Sequence, residues 1–183
     1  MAYNIAMETR ENKNRIPVFQ RIFFPLCIVA TLVFIFCNSL QTGEQSSVTS
    51  GGVVEILQDF ARKTAPNSFV ATATGKAYEL LHAIVRTLAH FAEFAMLGAF
   101  VAWTYFAYLT DKRFFLVAFT FLLCMPIIDE YIQLTVAGRG AQVLDVLVDT
   151  LGGVCGFLFG WITRGIAVAI HNKKAAKRAA KGV

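Results

Sequence analysis

Residues 114–140 read FFLVAFTFLLCMPIIDEYIQLTVAGRG. An almost wholly apolar run ends on Asp129, Glu130 and Gln133, and a glycine-flanked arginine, Arg139, follows. A run of that composition fits a helix through lipid, which needs about 20 mainly apolar residues. The acids then sit at one end of the span, in a place where an ionised side chain is expensive unless it pairs, binds something or does chemistry.

Working outward, the same pattern recurs. Apolar spans are expected at about 17–38, 88–109, 113–136 and 142–164. The 183-residue chain is 56% hydrophobic with a mean hydropathy of +0.57, which makes it one domain, too apolar for an ordinary soluble protein. The first span follows a basic segment as a signal peptide would, but NSLQTGEQSS at 38–47 offers no Ala-x-Ala cleavage signal, so a retained anchor is expected.

A net charge of +5 does not point to nucleic acid, because the bases flank the spans. The amino-terminal flank (Arg10, Lys13, Arg15, Arg21), the DKR turn at 111–113 and the carboxy-terminal end hold twelve of the seventeen Lys and Arg residues. That asymmetry predicts a membrane protein with both termini cytoplasmic. Cys27, Cys37, Cys124 and Cys155 sit singly in apolar runs with no CxxC spacing, and are expected as small buried side chains.

The segment between the first two spans carries Val53, Ile56, Leu57 and Phe60 at helical spacing opposite Gln58, Asp59, Arg62 and Lys63. This predicts a short amphipathic helix on the outer membrane surface, broken by TAPNS at 64–68. The fold class expected is therefore an all-α membrane protein of four transmembrane helices with a short amphipathic helix in the outer loop. The predicted division is a basic amino terminus at 1–16, a membrane domain at 17–165 and a basic tail at 166–183.

At about 1.5 Å per residue, the polar residues of four helices fall at one level, toward the outer leaflet. Asn38 and Ser39 close the first span, His90 and Glu93 open the second, Asp129, Glu130 and Gln133 end the third, and Asp145 and Asp149 begin the fourth. Glu79, His82, Arg86, His90 and Glu93 form one helical stripe. Gln142, Asp145 and Asp149 share a face with Gly152, Gly156 and Gly160, and such a row of small residues lets a neighbouring helix approach closely. The carboxylates are thus expected to point into the bundle. The bland alternative is a satisfied network in which Arg139 and Arg86 neutralise Asp129, Glu130 or Asp145. The His-x-x-Glu pair is a weak metal signal, so no metal ligand and no cofactor is assigned. Pro126, one turn before Asp129, is a candidate kink.

HFAEFAMLG at 90–98, DEYIQLTVAGRG at 129–140, DVLVDTLGGVCG at 145–156 and NSLQTGEQSS at 38–47 together resemble the VanZ-like family of bacterial membrane proteins, over about residues 20–165. The resemblance implies a four-helix integral membrane protein. The founding member is associated with low-level resistance to the lipoglycopeptide teicoplanin. The position of Asp149 is usually Asn in the family pattern, so this chain carries one more potential negative charge there.

The functional expectation is a cell-envelope protein that binds or modifies an amphiphile at the outer leaflet. A lipid-linked wall precursor, a phospholipid or a lipoglycopeptide fits that depth. His90, Glu93, Asp129 and Glu130 are the candidate catalytic groups. Gln133, Arg139, Asp145, Asp149, Arg86, Asn38 and Ser39 are the candidate ligand-binding groups. The expected partner is a membrane lipid or lipid-like ligand. The alternatives are a proton-relay or transport module and a non-catalytic scaffold; the apolar stretches AMLGAFVAW and FFLVAFTF weigh against a relay. The residues do not distinguish catalysis from binding, and they assign no oligomeric state.

Overall fold

The computed structural model describes residues 18–108, 112–140 and 142–180. The helices are α1 (Val18–Ser39), α2 (Gly43–Thr64), α3 (Phe69–Thr72), α4 (Lys76–Tyr108), α5 (Lys112–Leu134) and α6 (Val143–Ala180). The described residues contain no strand. Among the described residues, four stretches are long and apolar enough to cross a membrane: Val18–Ser39, Lys76–Phe106, Phe115–Leu134 and Val143–Ala167. The chain is all-α, as its periodicity predicts. The basic residues at 1–17 and Asp111 of the DKR turn lie outside the described residues.

Two helices extend beyond the predicted spans. α4 begins at Lys76, well before position 88, because Glu, Leu, Ala and Arg are strong helix formers that need no lipid to stay helical. α6 continues to Ala180 through a stretch rich in Ala and Lys for the same reason.

The glycine row sets the architecture. A Cβ on Gly152 would collide with the Phe91 backbone, one on Gly156 with the Ala95 backbone, and one on Gly98 with the Gly153 carbonyl. At Gly160 an added Cβ would meet Ala102 Cβ at 2.8 Å and Ala99 O at 2.9 Å. The contacts climb both helices in the same direction, so α4 and α6 run parallel at backbone-to-backbone distance. Without water to drive association in lipid, such close packing is what holds helices together.

Around this pair, Ile35, Phe94, Leu97, Val101, Ala102, Leu122 and Phe157 form a buried core drawn from α1, α4, α5 and α6. Toward the far end, Trp103 donates to Gly160 O and Thr163 Oγ1, both at 3.1 Å, and Tyr105 stacks on Trp161. Leu26, Val29, Val33, Leu116, Val117 and Leu158 point outward from their helices, as lipid-facing residues do. Cys37, Cys124 and Cys155 are on that outer surface too, and Cys27 is half-buried. The expectation of four buried cysteines fails because an apolar run in a span does not distinguish a core face from a lipid face.

α2 is longer than the predicted amphipathic helix. Its start is fixed by a capping box, in which Thr42 accepts from Gln45 N and the Gln45 side chain accepts from Thr42 N. It ends at Thr64, where TAPNS breaks the periodicity. Val53, Ile56, Leu57 and Phe60 are exposed together. The face turned to the protein is Ser46, Val54, Gln58 and Ala61. Gln58, read from sequence as part of the polar outer face, is instead buried and donates to Val70 O and Ala73 O at 3.2 and 2.9 Å.

These contacts generate a test of the packing. Gly156→Ala pushes a methyl into the α4 backbone and is expected to destabilise by about 1–3 kcal/mol. Gly165→Ala, which meets nothing within 4 Å, is expected to be neutral or mildly stabilising. Thermal unfolding of the two variants in detergent distinguishes them, and equal melting temperatures would contradict the α4–α6 contact.

Candidate functional site

The helix pairing places the polar residues of α1, α4, α5 and α6 at one end of the bundle. Asp129 is the centre of the arrangement, at 0% exposure. Ser39 Oγ lies within hydrogen-bond reach of Asp129 Oδ1 and of Ile35 O (3.0 Å), which compete for its single proton. Gln133 Nε2, one turn further along α5, donates to Asp129 Oδ2 at 2.8 Å. Each carboxylate oxygen therefore has a side-chain contact, one from α1 and one from α5.

A second chain of contacts runs beside the first. Asn38 Nδ2 donates to Glu93 Oε1 at 2.9 Å, while Asn38 O accepts from Arg139 Nη2 at 3.1 Å. Arg139 is carried by the turn between α5 and α6, where Gly138 has a φ of +75°, a left-handed conformation that favours glycine. That turn is clasped to the start of α2: Gly43 N donates to Ala137 O at 3.1 Å, and a side chain on Gly43 would strike Gly138 O. Burial, followed by the nearby positive charge of Arg86, pushes the pKa of Arg139 below its ordinary value, although a guanidinium keeps its charge in proteins.

Glu130 is buried and accepts from Gln142 N, immediately ahead of α6. A carboxylate there satisfies an otherwise unpaired N–H and complements the positive end of the helix dipole. Arg86, Thr87, His90, Asp145, Val148 and Asp149 line a small cleft between α4 and α6. His90, Asp129 and Asp149 connect this cleft to the centre, with one side-chain ligand atom of each within 4.8 Å of the others. His82, at the outer part of the stripe, bonds to Ser47 O at 3.0 Å, and Glu79 is exposed.

The eleven residues singled out from the sequence thus lie at one end of the bundle, most of them in one connected group. The alternative of direct arginine–carboxylate pairs is not seen: among the described residues the one ion pair within 4.0 Å is Arg62–Asp59, on the surface of α2. Several buried polar atoms of the cluster have no hydrogen-bond partner, namely His90 Nδ1, Glu93 Oε2, Gln133 Oε1, Asp149 Oδ1, and Nε and Nη1 of Arg139. Buried polar groups are normally paired, so a cluster with this many open valences is incomplete as internal glue.

Sequence reasoning missed three parts of the site. Thr87 has no signal beyond lying next to Arg86. The Gly43–Ala137 clasp joins distant segments and is invisible to periodicity. The contact of Glu130 with Gln142 N spans twelve residues, from inside α5 across the turn to α6, and has no local signal either.

The fold and the cluster define a multi-pass membrane protein with a polar site at one end of a four-helix bundle. The VanZ/LLP1 family model matches residues 23–164, and the chain belongs to that family. No curated protein and no solved structure matches the chain.

Ser39 and Asp129 provide a stability test. Ser39→Ala removes one of two donors to a buried carboxylate and is expected to cost about 1–3 kcal/mol. Ser50→Ala, which loses only a bond to Ser46 O within α2, should cost less. Unfolding in detergent measures both, and a Ser39→Ala variant as stable as the parent would show that Asp129 does not depend on that hydroxyl.

Proposed function

We propose that this chain is a bacterial cell-envelope protein whose polar end faces the outer leaflet and binds the anionic headgroup of an amphiphile. The observation that carries the reading is Arg139. It is half-buried on a turn at the bundle end, uses one nitrogen to hold the α1 carboxy terminus, and leaves two buried N–H positions unpartnered. A planar guanidinium with free donors matches phosphate or carboxylate oxygens in a forked geometry. The apolar outer faces of α1 and α5 and the exposed stripe of α2 offer surface for acyl chains.

Lipid-linked wall precursors, phospholipids and lipoglycopeptides share this chemistry of an anionic or carboxylate-bearing head on an apolar tail. If the ligand is modified, His90, Glu93, Asp129 and Glu130 are the groups placed to move protons. A proton relay needs polar groups through the depth of the membrane, whereas the buried acids of the described residues lie at one end of the bundle. The orientation rests on the positive-inside asymmetry, which puts both termini in the cytoplasm of a bacterial cell and the Arg139 turn outside.

Arg139→Lys keeps the charge and loses the fork. It is expected to weaken binding of vesicles containing anionic lipid, or a resistance or envelope-stress phenotype, by about tenfold while the melting temperature stays within about 2 °C. Asp145→Asn, on the cleft wall, should alter function without unfolding the chain. If both variants retain full function while their melting temperatures fall together, the cluster is structural and the reading is wrong.

Orientation is checked separately by labelling single cysteines on a background lacking the four native ones. Phe60→Cys should react with an impermeant reagent on intact cells, and Arg178→Cys should react only after lysis. Labelling of position 178 from outside would invert the topology.

A further inference from the structure

The headgroup reading rests on Arg139 and gives three inward-facing groups no part in holding the headgroup. His90 comes from α4, Asp129 from α5 and Asp149 from α6, yet one donor atom from each lies within 4.8 Å of the other two. Asp149 is 1% exposed, and its Oδ1 is buried with no hydrogen-bond partner, as is Nδ1 of His90. Two of the three residues thus each carry a buried atom that leaves unmet the ordinary requirement that buried polar atoms be paired. Internal contacts therefore do not complete this group.

We propose that His90, Asp129 and Asp149 hold a divalent first-row transition-metal ion, with Zn²⁺ and Mn²⁺ as the fitting species. One nitrogen and two carboxylate oxygens form a mixed donor set. Imidazole favours such ions over Mg²⁺ and Ca²⁺, which take oxygen ligands. Bonds of about 2.1 Å in tetrahedral geometry would separate donor atoms by about 3.4 Å, so the three groups close on an ion by small side-chain shifts. Three protein ligands leave a further position for water or a ligand oxygen.

The surroundings suit this role. Asp129 is oriented by Ser39 and Gln133 through bonds that each leave a lone pair on its oxygens, as outer hydrogen bonds orient metal-bound carboxylates elsewhere. Glu93, Asp129, Glu130, Asp145 and Asp149 face Arg86 and Arg139 at this end of the bundle, with no ion pair within 4.0 Å between them among the described residues. A dipositive ion would offset that surplus of carboxylates. The cleft lined by Arg86, Thr87, Asp145 and Val148 reaches His90 and Asp149 from the side, giving an ion a route in.

Metal binding does not depend on the headgroup reading and is measured without lipid ligand. The full chain, purified in detergent, stripped with EDTA and desalted, would be titrated with ZnCl₂, MnCl₂, MgCl₂ and CaCl₂, and bound metal counted by elemental analysis. The expected result is one Zn²⁺ or Mn²⁺ per chain, bound at least about tenfold more tightly than Mg²⁺ or Ca²⁺, and a rise in melting temperature on binding. A variant with all four cysteines changed to alanine should bind equally, which separates this site from thiol capture of zinc. Asp149→Ala and His90→Ala should each weaken binding by at least about 100-fold, beyond the loss that follows removal of an outer-sphere bond. His90→Gln serves if the alanine variant does not fold.

Three results would overturn the proposal: a folded wild-type chain that takes up none of these ions, binding that disappears with the cysteines, or full affinity in a folded His90 or Asp149 variant. A wild-type chain that binds anionic-lipid vesicles but takes up none of these ions would sink this inference alone. The converse result would sink the headgroup reading alone.

Discussion

The backbone contact between α4 and α6 is the constraint on which the rest of the structure depends. Gly152, Gly156 and Gly160 remove the side chains that would hold these helices apart, and Gly98 does the same from the other side. Parallel helices at that distance must present the residues preceding the contact to one another. The stripe of Arg86 and His90 on α4 is therefore opposite Asp145 and Asp149 on α6, and the cleft between them follows from the packing. α1 and α5 then complete the enclosure, bringing Asn38 and Ser39 to Glu93 and Asp129.

A polar cluster assembled in this way meets two opposing costs. Placing charge in the hydrocarbon region costs about 2.5–3.5 kcal/mol per ionised group at mid-depth on insertion scales. Pairing each acid with an arginine would offset much of that, yet Arg139 binds a carbonyl and, among the described residues, no carboxylate lies within ion-pair distance of it. The cluster is held in place partly by neutral donors, Ser39, Asn38 and Gln133, which orient carboxylates without cancelling their charge. Such an arrangement keeps the acids and the arginine available to something from outside the chain. A network evolved only to fix helix register would be expected to close its own valences.

Much of this was legible in the sequence because two periodicities coincide. The 3.6-residue repeat placed His90 and Glu93 on one stripe and Asp145 and Asp149 in line with the glycines, and span length placed all of them at one level. Those arguments reached the four candidate spans, the inward direction of the carboxylates and the grouping of the site. They did not reach the cysteines or Gln58, because composition cannot separate a face against protein from a face against lipid, nor a solvated glutamine from one bonded to the carbonyls of a passing loop. The early start of α4 was missed because hydropathy locates lipid, whereas helix propensity decides where a helix begins. The approach of His90, Asp129 and Asp149 joins three helices, and no local pattern records a convergence of that kind.

The central claim is that the polar end of the bundle is an open site and not a closed salt-bridge network. An experimentally determined structure of the chain in lipid nanodiscs containing anionic lipid tests it most directly. The account predicts headgroup density within hydrogen-bond distance of the Arg139 guanidinium, with Asp129 still held by Ser39 and Gln133. A structure in which Arg139 turns inward to pair with Asp129, Glu130 or Glu93, leaving no ligand density at that end, would contradict it.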